Sequence, residues 1–95
     1  MSERFTTWDV AQDLSNEEDM ALFLNACIDD DPGDGSLIRH GLGAMARARG
    51  MTQLARKTGI SREGLYRALS PEGNPEFATI IKVTRALGLR LQAQI

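Results

Sequence analysis

The sequence predicts a single all-α domain of five helices, spanning residues 1–95, with short extended segments near the N- and C-termini. Five stretches carry apolar residues at three- and four-residue spacing, and Gly, Pro and Asp separate these stretches. A chain of 95 residues is long enough for one domain with a modest core. The hydrophobic content of 42% and the charged content of 25% are ordinary for soluble globular proteins, so we expect a conventional packed interior.

Composition argues against several classes of protein. No apolar run approaches the roughly 20 residues that a membrane span requires, and "MSERFTTWDV" lacks the apolar core of a signal peptide, so we expect a cytoplasmic protein. Cys27, the single cysteine, cannot form an intrachain disulfide, and its apolar neighbours predict a small buried hydrophobe rather than a reactive thiol. With His40 as the only histidine, no metal site is expected. No nucleophile–base grouping or glycine-rich phosphate loop indicates an enzyme or a cofactor.

Charge is divided unevenly along the chain. Residues 1–36 contain ten acidic residues and one basic residue, a sum of −9, whereas residues 37–95 contain ten basic and three acidic residues, a sum of +7. Together they give the net charge of −2. This division indicates two surfaces with different partners. The alternative is solvated charge that is unevenly distributed and has no partner.

The first two helices are predicted on either side of the turn sequence "DDDPGDG". Residues 16–29 open with an S-x-x-E capping box formed by Ser15 and Glu18. Their apolar residues recur at helical spacing: Met20, Phe23, Leu24, Cys27 and Ile28. Asp34 is predicted to cap the next helix, "SLIRHGLGAMARA", which Gly50 ends. Before them, "RFTTWDV" favours a short extended segment.

The last three helices are predicted after Gly50. Thr52 caps "QLARKT", which ends at Gly59, and Ser61 caps the helix at residues 62–69. After the turn "SPEGNP", the helix in "EFATIIKVTRALG" ends at Gly88. Its predicted apolar face consists of Phe77, Ile80, Ile81, Thr84 and Leu87. The alternating sequence "LRLQAQI" predicts a strand at 89–94, paired with residues near 5–8 within one chain or across a two-fold dimer.

Residues 52–69 have the pattern of a helix-turn-helix. That motif needs a small residue in its first helix, here Ala55, and a residue that accepts positive φ in its turn, here Gly59. The apolar residues that fill the angle between the helices are Leu54, Ile60 and Leu65. At about 100° per residue, one half of the second helix carries Arg62, Glu63, Tyr66 and Arg67. The other half carries Gly64, Leu65, Ala68 and Leu69. The pattern favours a helix-turn-helix over a plain pair of core helices.

The outer half of this second helix has the chemistry of a DNA-reading face. Arg62 and Arg67 can bind guanine in a bidentate manner or bind phosphate. Glu63 can accept a hydrogen bond from cytosine or merely pair with Arg67 four residues on. Tyr66 can bind phosphate or contact a thymine methyl group, and the alternative is partial burial in the core.

Further DNA contacts are predicted around this helix. Thr52 and Gln53, at the front of the preceding helix, are placed for backbone phosphate. Asn74 has the same predicted role, with a turn and cap residue as its alternative. Three other basic residues are expected to add only background positive charge: Arg47, Arg49 and Lys57.

Several segments resemble the probable addiction-module antidote family: "ARARGM", "SREGLYRALSPEGNP" and "ALGL", with "WDVAQDL" and "NEEDMALFLNACIDD" upstream. The resemblance runs from about Trp8 to Leu91. The family's members are small bacterial, HigA-like antitoxins with a phage-repressor-like (lambda repressor-like, XRE-type) helix-turn-helix. By resemblance, the recognition helix would use Ser61, Arg62, Glu63, Tyr66 and Arg67, and the supporting helix Thr52 and Gln53.

The chain departs from the family pattern at the start of its second helix. Asp34 and Gly35 stand where the family often has Asp-Pro. Gly41 stands where alanine is common, and close packing against a neighbouring helix would explain it. Neither departure touches the segment predicted to read DNA.

The resemblance implies an antitoxin of a type II toxin–antitoxin module. Such a protein neutralises a RelE/HigB-like toxin, usually an mRNA-cleaving ribonuclease, and represses its own operon by binding operator DNA. The helix at 16–29 is predicted to attract a basic toxin through Glu17, Glu18, Asp19 and Asp29–Asp31. A homodimer would present two recognition helices about 34 Å apart, to successive major grooves. The alternative function is a helical protein-interaction module that binds a partner protein without binding DNA.

Overall fold

Five α-helices form the described part of the chain, residues 16–95 of a computed structural model. They are α1 (Glu17–Asp30), α2 (Ser36–Arg49), α3 (Met51–Thr58), α4 (Arg62–Ala68) and α5 (Phe77–Ala86). The all-α prediction with five helices is confirmed for these residues. The extended segment predicted at residues 4–10 lies outside them, as does Ser15. None of the five helices is long and apolar enough to span a bilayer.

Asn16, rather than Ser15, caps the first helix. The side-chain oxygen of Asn16 accepts a hydrogen bond from the main-chain N–H of Asp19 at 2.8 Å. In return, the Asn16 amide donates to a carboxylate oxygen of Asp19 at 2.9 Å. The predicted pairing of a cap with an acid three residues later therefore exists one residue further along the chain.

Asp31 organises the connection between α1 and α2. Its Oδ2 atom accepts hydrogen bonds from the N–H groups of Gly33 at 2.8 Å and Gly35 at 2.9 Å. Its Oδ1 atom accepts from Leu37 at 2.9 Å and Ile38 at 3.3 Å, in the first turn of α2. Partial desolvation raises the pKa of the Asp31 carboxyl, but the hydrogen bonds from these four N–H groups lower it further, so the pKa lies below the ordinary value.

The predicted cap of α2 is only partly right. Asp34 accepts a hydrogen bond from the N–H of Ser36 at 2.9 Å, but Gly35 occupies the N-cap position and provides no side chain. The next two N–H groups of the helix, those of Leu37 and Ile38, donate to the carboxylate of Asp31, which lies outside the helix. Asp31 therefore supplies the capping carboxylate for most of the first turn.

α2 lies between α1 and the C-terminal end of α4. A β-carbon on Gly41 would meet the Cys27 side chain of α1, and one on Gly43 would lie 3.3 Å from the main-chain oxygen of Leu69, just after α4. Gly41 and Gly43 are two positions apart, which is a rotation of about 200° around the helix axis, so these contacts lie about 160° apart around α2. The two neighbours therefore occupy nearly opposite sides of α2. A weak ion pair, 3.9 Å between Glu17 and Arg49, also joins α1 to α2.

The core fills the space that α2, α3, α4 and α5 enclose, with α1 covering one side. Its largest fully buried side chains are Met20, Leu42, Met45, Leu65, Val83 and Leu87. Thr84 is the one polar residue buried with them in the described part of the chain, and its hydroxyl donates to the Ile80 carbonyl at 2.7 Å. The buried hydroxyl therefore has a partner and does not destabilise the interior.

The apolar face predicted for α5 is wrong at its first residue. Phe77 is 72% exposed, whereas Val83, which the prediction left out, is fully buried. Helical side chains point toward the helix N-terminus, so a residue at the first position projects beyond the end of the helix. Phe77 therefore lies on the side of α5 that faces the core, but it is too close to the start of the helix for its side chain to reach the core.

The predicted C-terminal strand is not present in residues 16–95. α5 ends at Ala86, followed by Leu87 at the C-cap and Gly88 with φ of 85°, and residues 89–95 have no regular secondary structure. A strand requires a neighbour that satisfies its main-chain groups, and the helices provide none. The predicted partner, near residues 5–8, lies outside the described residues.

Candidate nucleic-acid interface

A tight turn at Gly59 joins α3 and α4. Gly59 has φ of 76° and ends α3, as predicted, with its N–H donating to the Ala55 carbonyl at 2.9 Å. The Thr58 hydroxyl donates to the Leu54 carbonyl at 2.8 Å and accepts from the N–H of Ile60 at 3.1 Å. Thr58, which the sequence reasoning missed, thus ties the turn to the body of α3.

Apolar side chains fill the angle between α3 and α4. Leu54 is 2% exposed and Leu65 is fully buried, while Ile60 and Ala55 are half-buried against them. This confirms the predicted packing of the two helices. Removing the Leu65 side chain beyond Cβ would lower the free energy of unfolding by roughly 2 to 5 kcal/mol, which makes it the main anchor of α4.

α4 has the cap and the two faces that its sequence predicts. Ser61 caps it, accepting a hydrogen bond from the N–H of Gly64 at 3.0 Å. Leu65 and Leu69 are buried, although the helix ends at Ala68, one residue earlier than predicted. The exposed face carries Arg62, Glu63, Tyr66 and Arg67, of which Tyr66 is 46% exposed. A continuous polar and basic surface on α4 therefore faces solvent within the described structure.

The side chains on this surface do not neutralise one another. Glu63 and Arg67 form no ion pair, and the one ion pair within residues 16–95 is that of Glu17 with Arg49. The pairing considered for Glu63 and Arg67 is thus absent from the structure. Among residues 16–95, neither charged group has an ion-pair partner.

The remaining predicted DNA contacts are exposed, but two of them do not have their predicted structural roles. Thr52 is not a cap, because α3 begins at Met51 and Gly50 occupies the N-cap position. Thr52 and Gln53 lie in the exposed first turn of α3. Asn74 is exposed in the turn before α5, whose N-cap is Glu76, so it is not a helix cap. Contact of these side chains with DNA stays a prediction.

Arg39 positions the end of α4, a role that the sequence did not suggest. Its Nε donates to the Ser70 carbonyl at 3.0 Å, and its Nη2 donates to the Pro71 carbonyl at 2.8 Å. Nearby, a β-carbon on Gly73 would lie 2.6 Å from the Arg67 carbonyl oxygen and 2.5 Å from that of Ala68, so only glycine fits there. The turn is therefore held against both α2 and the end of α4.

Cys27 faces away from this surface, between α1 and α2. It is 6% exposed, which confirms the prediction of a buried side chain. Burial, and then the negative charge of Asp30, raise the pKa of the Cys27 thiol, so it remains protonated at neutral pH. Within residues 16–95 no group of three or more His, Cys, Asp or Glu side chains is arranged to hold a metal ion.

Acidic and basic surfaces lie on different helices. The acidic residues of α1 are Glu17, Glu18, Asp19, Asp29 and Asp30. Asp31, predicted with them as part of a toxin-binding surface, instead has its carboxylate occupied by main-chain N–H groups. Since α1 and the end of α4 lie on nearly opposite sides of α2, the acidic helix is kept away from the basic face of α4.

Comparison with known proteins gives a family and one relative. A family model described as "Probable addiction module antidote protein" matches residues 4–95. A protein of Haemophilus influenzae, described as an uncharacterized protein, is 51% identical over 94 residues, which cover 99% of this chain and 95% of the relative. No solved structure matches the chain. Antidotes of addiction modules are antitoxins, which implies a toxin partner and a role that is typically not enzymatic. The chain belongs to the probable addiction module antidote family.

Proposed function

We propose that this protein is the antitoxin of a type II toxin–antitoxin module, which represses its own operon by binding operator DNA and neutralises a RelE/HigB-like toxin. The observation that carries the DNA-binding part is the exposed basic face of α4, anchored by the buried Leu65 and Leu69. Family membership supports the antitoxin part. The protein acts as one domain in the cytoplasm, where the operon and its messenger RNA are found.

The arrangement of α3 and α4 supports a phage-repressor-like helix-turn-helix. α4 inserts its N-terminal part into the major groove, where Arg62 and Arg67 reach guanine edges or phosphates. Thr52 and Gln53, in the first turn of α3, bind the phosphate backbone and set the register of the helix. Their exposure and the absence of an ion pair between Glu63 and Arg67 support this assignment.

A homodimer provides the geometry that operator binding needs. Two copies place their α4 helices about 34 Å apart, the spacing of successive major grooves on one side of the duplex. Dimerisation doubles the number of phosphate contacts and hence the sensitivity of binding to salt.

The toxin-binding part rests on α1. Its carboxylates form an exposed acidic surface, and Leu22, 65% exposed, provides an apolar contact among them. A ribonuclease that binds RNA has a basic active site, so charge complementarity speeds its encounter with α1. The buried faces of α1 and α2 remain in the core, so the toxin can be bound without unfolding of this domain.

A binding experiment with matched duplexes tests the DNA part. Fluorescence anisotropy should show that the protein binds the duplex upstream of its own gene at least tenfold more tightly than a scrambled duplex of equal length. Raising the salt concentration should weaken both interactions. Equal and weak binding to both duplexes would instead favour the protein-interaction module, for which the exposed Leu22 and Phe77 are suitable apolar contacts.

A growth experiment tests the antitoxin part. Expression of the small protein encoded beside this gene should arrest growth, and co-expression of this chain should restore it. Rescue by a variant that no longer binds DNA would show that the two activities are separable. Absence of any toxic neighbour, or failure to restore growth with folded protein present, would contradict the antitoxin role.

A further inference from the structure

A groove of about 300 Å³ lies between α2 and α4, beside the exposed face of α4. On the α2 side it is lined by His40, Gly43 and Arg47, which follow one another at helical spacing. On the α4 side it is lined by Tyr66 and Leu69. The groove therefore joins the reading face to a helix that had no assigned part in DNA binding.

The Arg47 side chain lies along this groove, close to Gly43. A β-carbon on Gly43 would lie 3.5 Å from the Nη1 atom of Arg47 and 3.3 Å from the main-chain oxygen of Leu69. The guanidinium group of Arg47 thus extends back over Gly43, one helical turn earlier, toward the end of α4.

The polar groups of the groove suit an oxyanion. Arg47 supplies a guanidinium group, His40 an imidazole and Tyr66 a hydroxyl group, whereas the Ser70 hydroxyl already donates to the Arg67 carbonyl at 2.9 Å. No described residue that lines the groove is acidic, and no carboxylate of residues 16–95 forms an ion pair with Arg47. A guanidinium group matches the oxygens of a phosphate in a bidentate manner, and the Tyr66 hydroxyl can donate to a remaining oxygen.

The position of the groove indicates which phosphate it meets. Tyr66 belongs both to the groove and to the exposed face of α4. Met51, which also lines the groove, directly precedes Thr52 and Gln53 in the first turn of α3. A DNA strand that contacts Tyr66 as well as Thr52 and Gln53 therefore runs past the mouth of the groove.

We infer that this groove binds one backbone phosphate of the operator duplex, with Arg47 as its principal ligand. The inference rests on the proposed DNA-binding function and replaces the expectation that Arg47 adds only background charge. A phosphate carries no sequence information, so Arg47 strengthens binding and fixes the position of the duplex without selecting its sequence. In this arrangement the Tyr66 hydroxyl binds the phosphate and does not contact a base.

The salt dependence of binding tests this contact. Anisotropy titrations would compare the wild-type protein with Arg47→Gln, using the upstream duplex and a scrambled duplex at several salt concentrations. Arg47→Gln should weaken binding to both duplexes by the same factor, and the slope of log K against log salt should become shallower by about one. Arg85→Gln is the matched control, because Arg85 is exposed on α5 and lines a different groove with Ile81 and Leu91. It should keep the wild-type slope.

A second measurement separates a duplex phosphate from a free anion. The imidazole proton signals of His40, followed by NMR, should shift when the duplex is added and should remain in place with inorganic phosphate at the same concentration. An equal shift with inorganic phosphate would make the groove a free-anion site and overturn the assignment. An unchanged slope for folded Arg47→Gln would overturn it as well. If the wild-type protein binds neither duplex, the proposed function itself fails, whereas an unchanged slope leaves that function intact.

Discussion

The Sγ atom of Cys27 lies 2.7 Å from the point that a β-carbon on Gly41 would occupy. Atoms of this kind cannot approach so closely, so α1 and α2 reach their present separation only because position 41 has no side chain. Phe23 lies 3.4 Å from the same point, which is an ordinary contact. The Cys27 sulfur is therefore the group that excludes alanine.

The substitution Gly41→Ala should destabilise the protein although it improves helix propensity. The gain in propensity is about 1 kcal/mol, and forcing an extra methyl group into a packed interface costs roughly 1 to 3 kcal/mol. We expect a net loss of about 1 kcal/mol in the free energy of unfolding, measured by urea denaturation. In a Cys27→Ala background, Gly41→Ala should become neutral or stabilising, with a coupling of about 1 kcal/mol. If the effects of Gly41→Ala and Cys27→Ala on the free energy of unfolding are simply additive, the contact between the two residues does not limit position 41.

Arg39 should stabilise the position of α4 through its two main-chain hydrogen bonds. Arg39→Ala is expected to lower the free energy of unfolding by roughly 1 to 2 kcal/mol, because these bonds are charge-assisted but partly exposed. Relative to the wild type, Arg39→Ala should speed amide hydrogen exchange more at the end of α4 than in α1. Arg39→Lys keeps the charge but cannot make both hydrogen bonds, so its stability should lie between those of the wild type and Arg39→Ala. If the amide hydrogens of Arg39→Lys exchange at the wild-type rates, the positive charge alone is sufficient to position the end of α4, and the two hydrogen bonds are not needed.

Arg62 and Arg67 should contribute directly to operator binding. Each single change to alanine is expected to weaken binding to the operator by roughly 1 to 3 kcal/mol if the contact is to a base, and sequence preference should decrease. Both side chains are exposed, so the free energy of unfolding should change by less than about 0.5 kcal/mol. Arg85→Ala, an exposed arginine on α5, is the control in the same assay. Unchanged operator binding in both variants would remove α4 as the reading helix.

Asp31 should make stability depend on pH under acidic conditions. The pKa of its carboxyl is lower in the folded chain than the ordinary value of 3.8, so the ionised form stabilises the fold above pH 3.8. That contribution is lost as the pH falls below 3.8 through the folded pKa. Asp31→Asn should therefore be less stable than the wild type at pH 7, with the difference shrinking below pH 3.8. Asp29→Asn, in the exposed last turn of α1, should not reproduce this pattern.

The sequence predicted those features that depend on a few neighbouring residues. Gly50 and Gly59 end their helices because each permits a positive φ, and Ser61 caps α4 through a bond three residues away. The two faces of α4 also follow from helical spacing alone. All these signals are local, so their positions in the chain were sufficient to find them.

The features that escaped prediction depend on contacts between distant parts of the chain. Arg39 binds carbonyls 31 and 32 residues away. Close packing at Gly41 is predicted and confirmed, but its partner, Cys27, follows only from the angle between two helices. The sequence cannot identify Asp31 as a cap rather than an interface charge, because a capping carboxylate outside its helix has no fixed spacing. The angle of Phe77 on the helix predicts a core residue, but this angle does not show that the helix has only just begun there. Such errors arise wherever tertiary position overrides local pattern.

Arg39 recognises only main-chain oxygens in the turn after α4, and every amino acid at positions 70 and 71 offers such an oxygen. Substitutions at these two positions can therefore accumulate without dislodging α4. Over evolutionary time, this part of the surface can adapt to a changed partner while the scaffold below it stays the same.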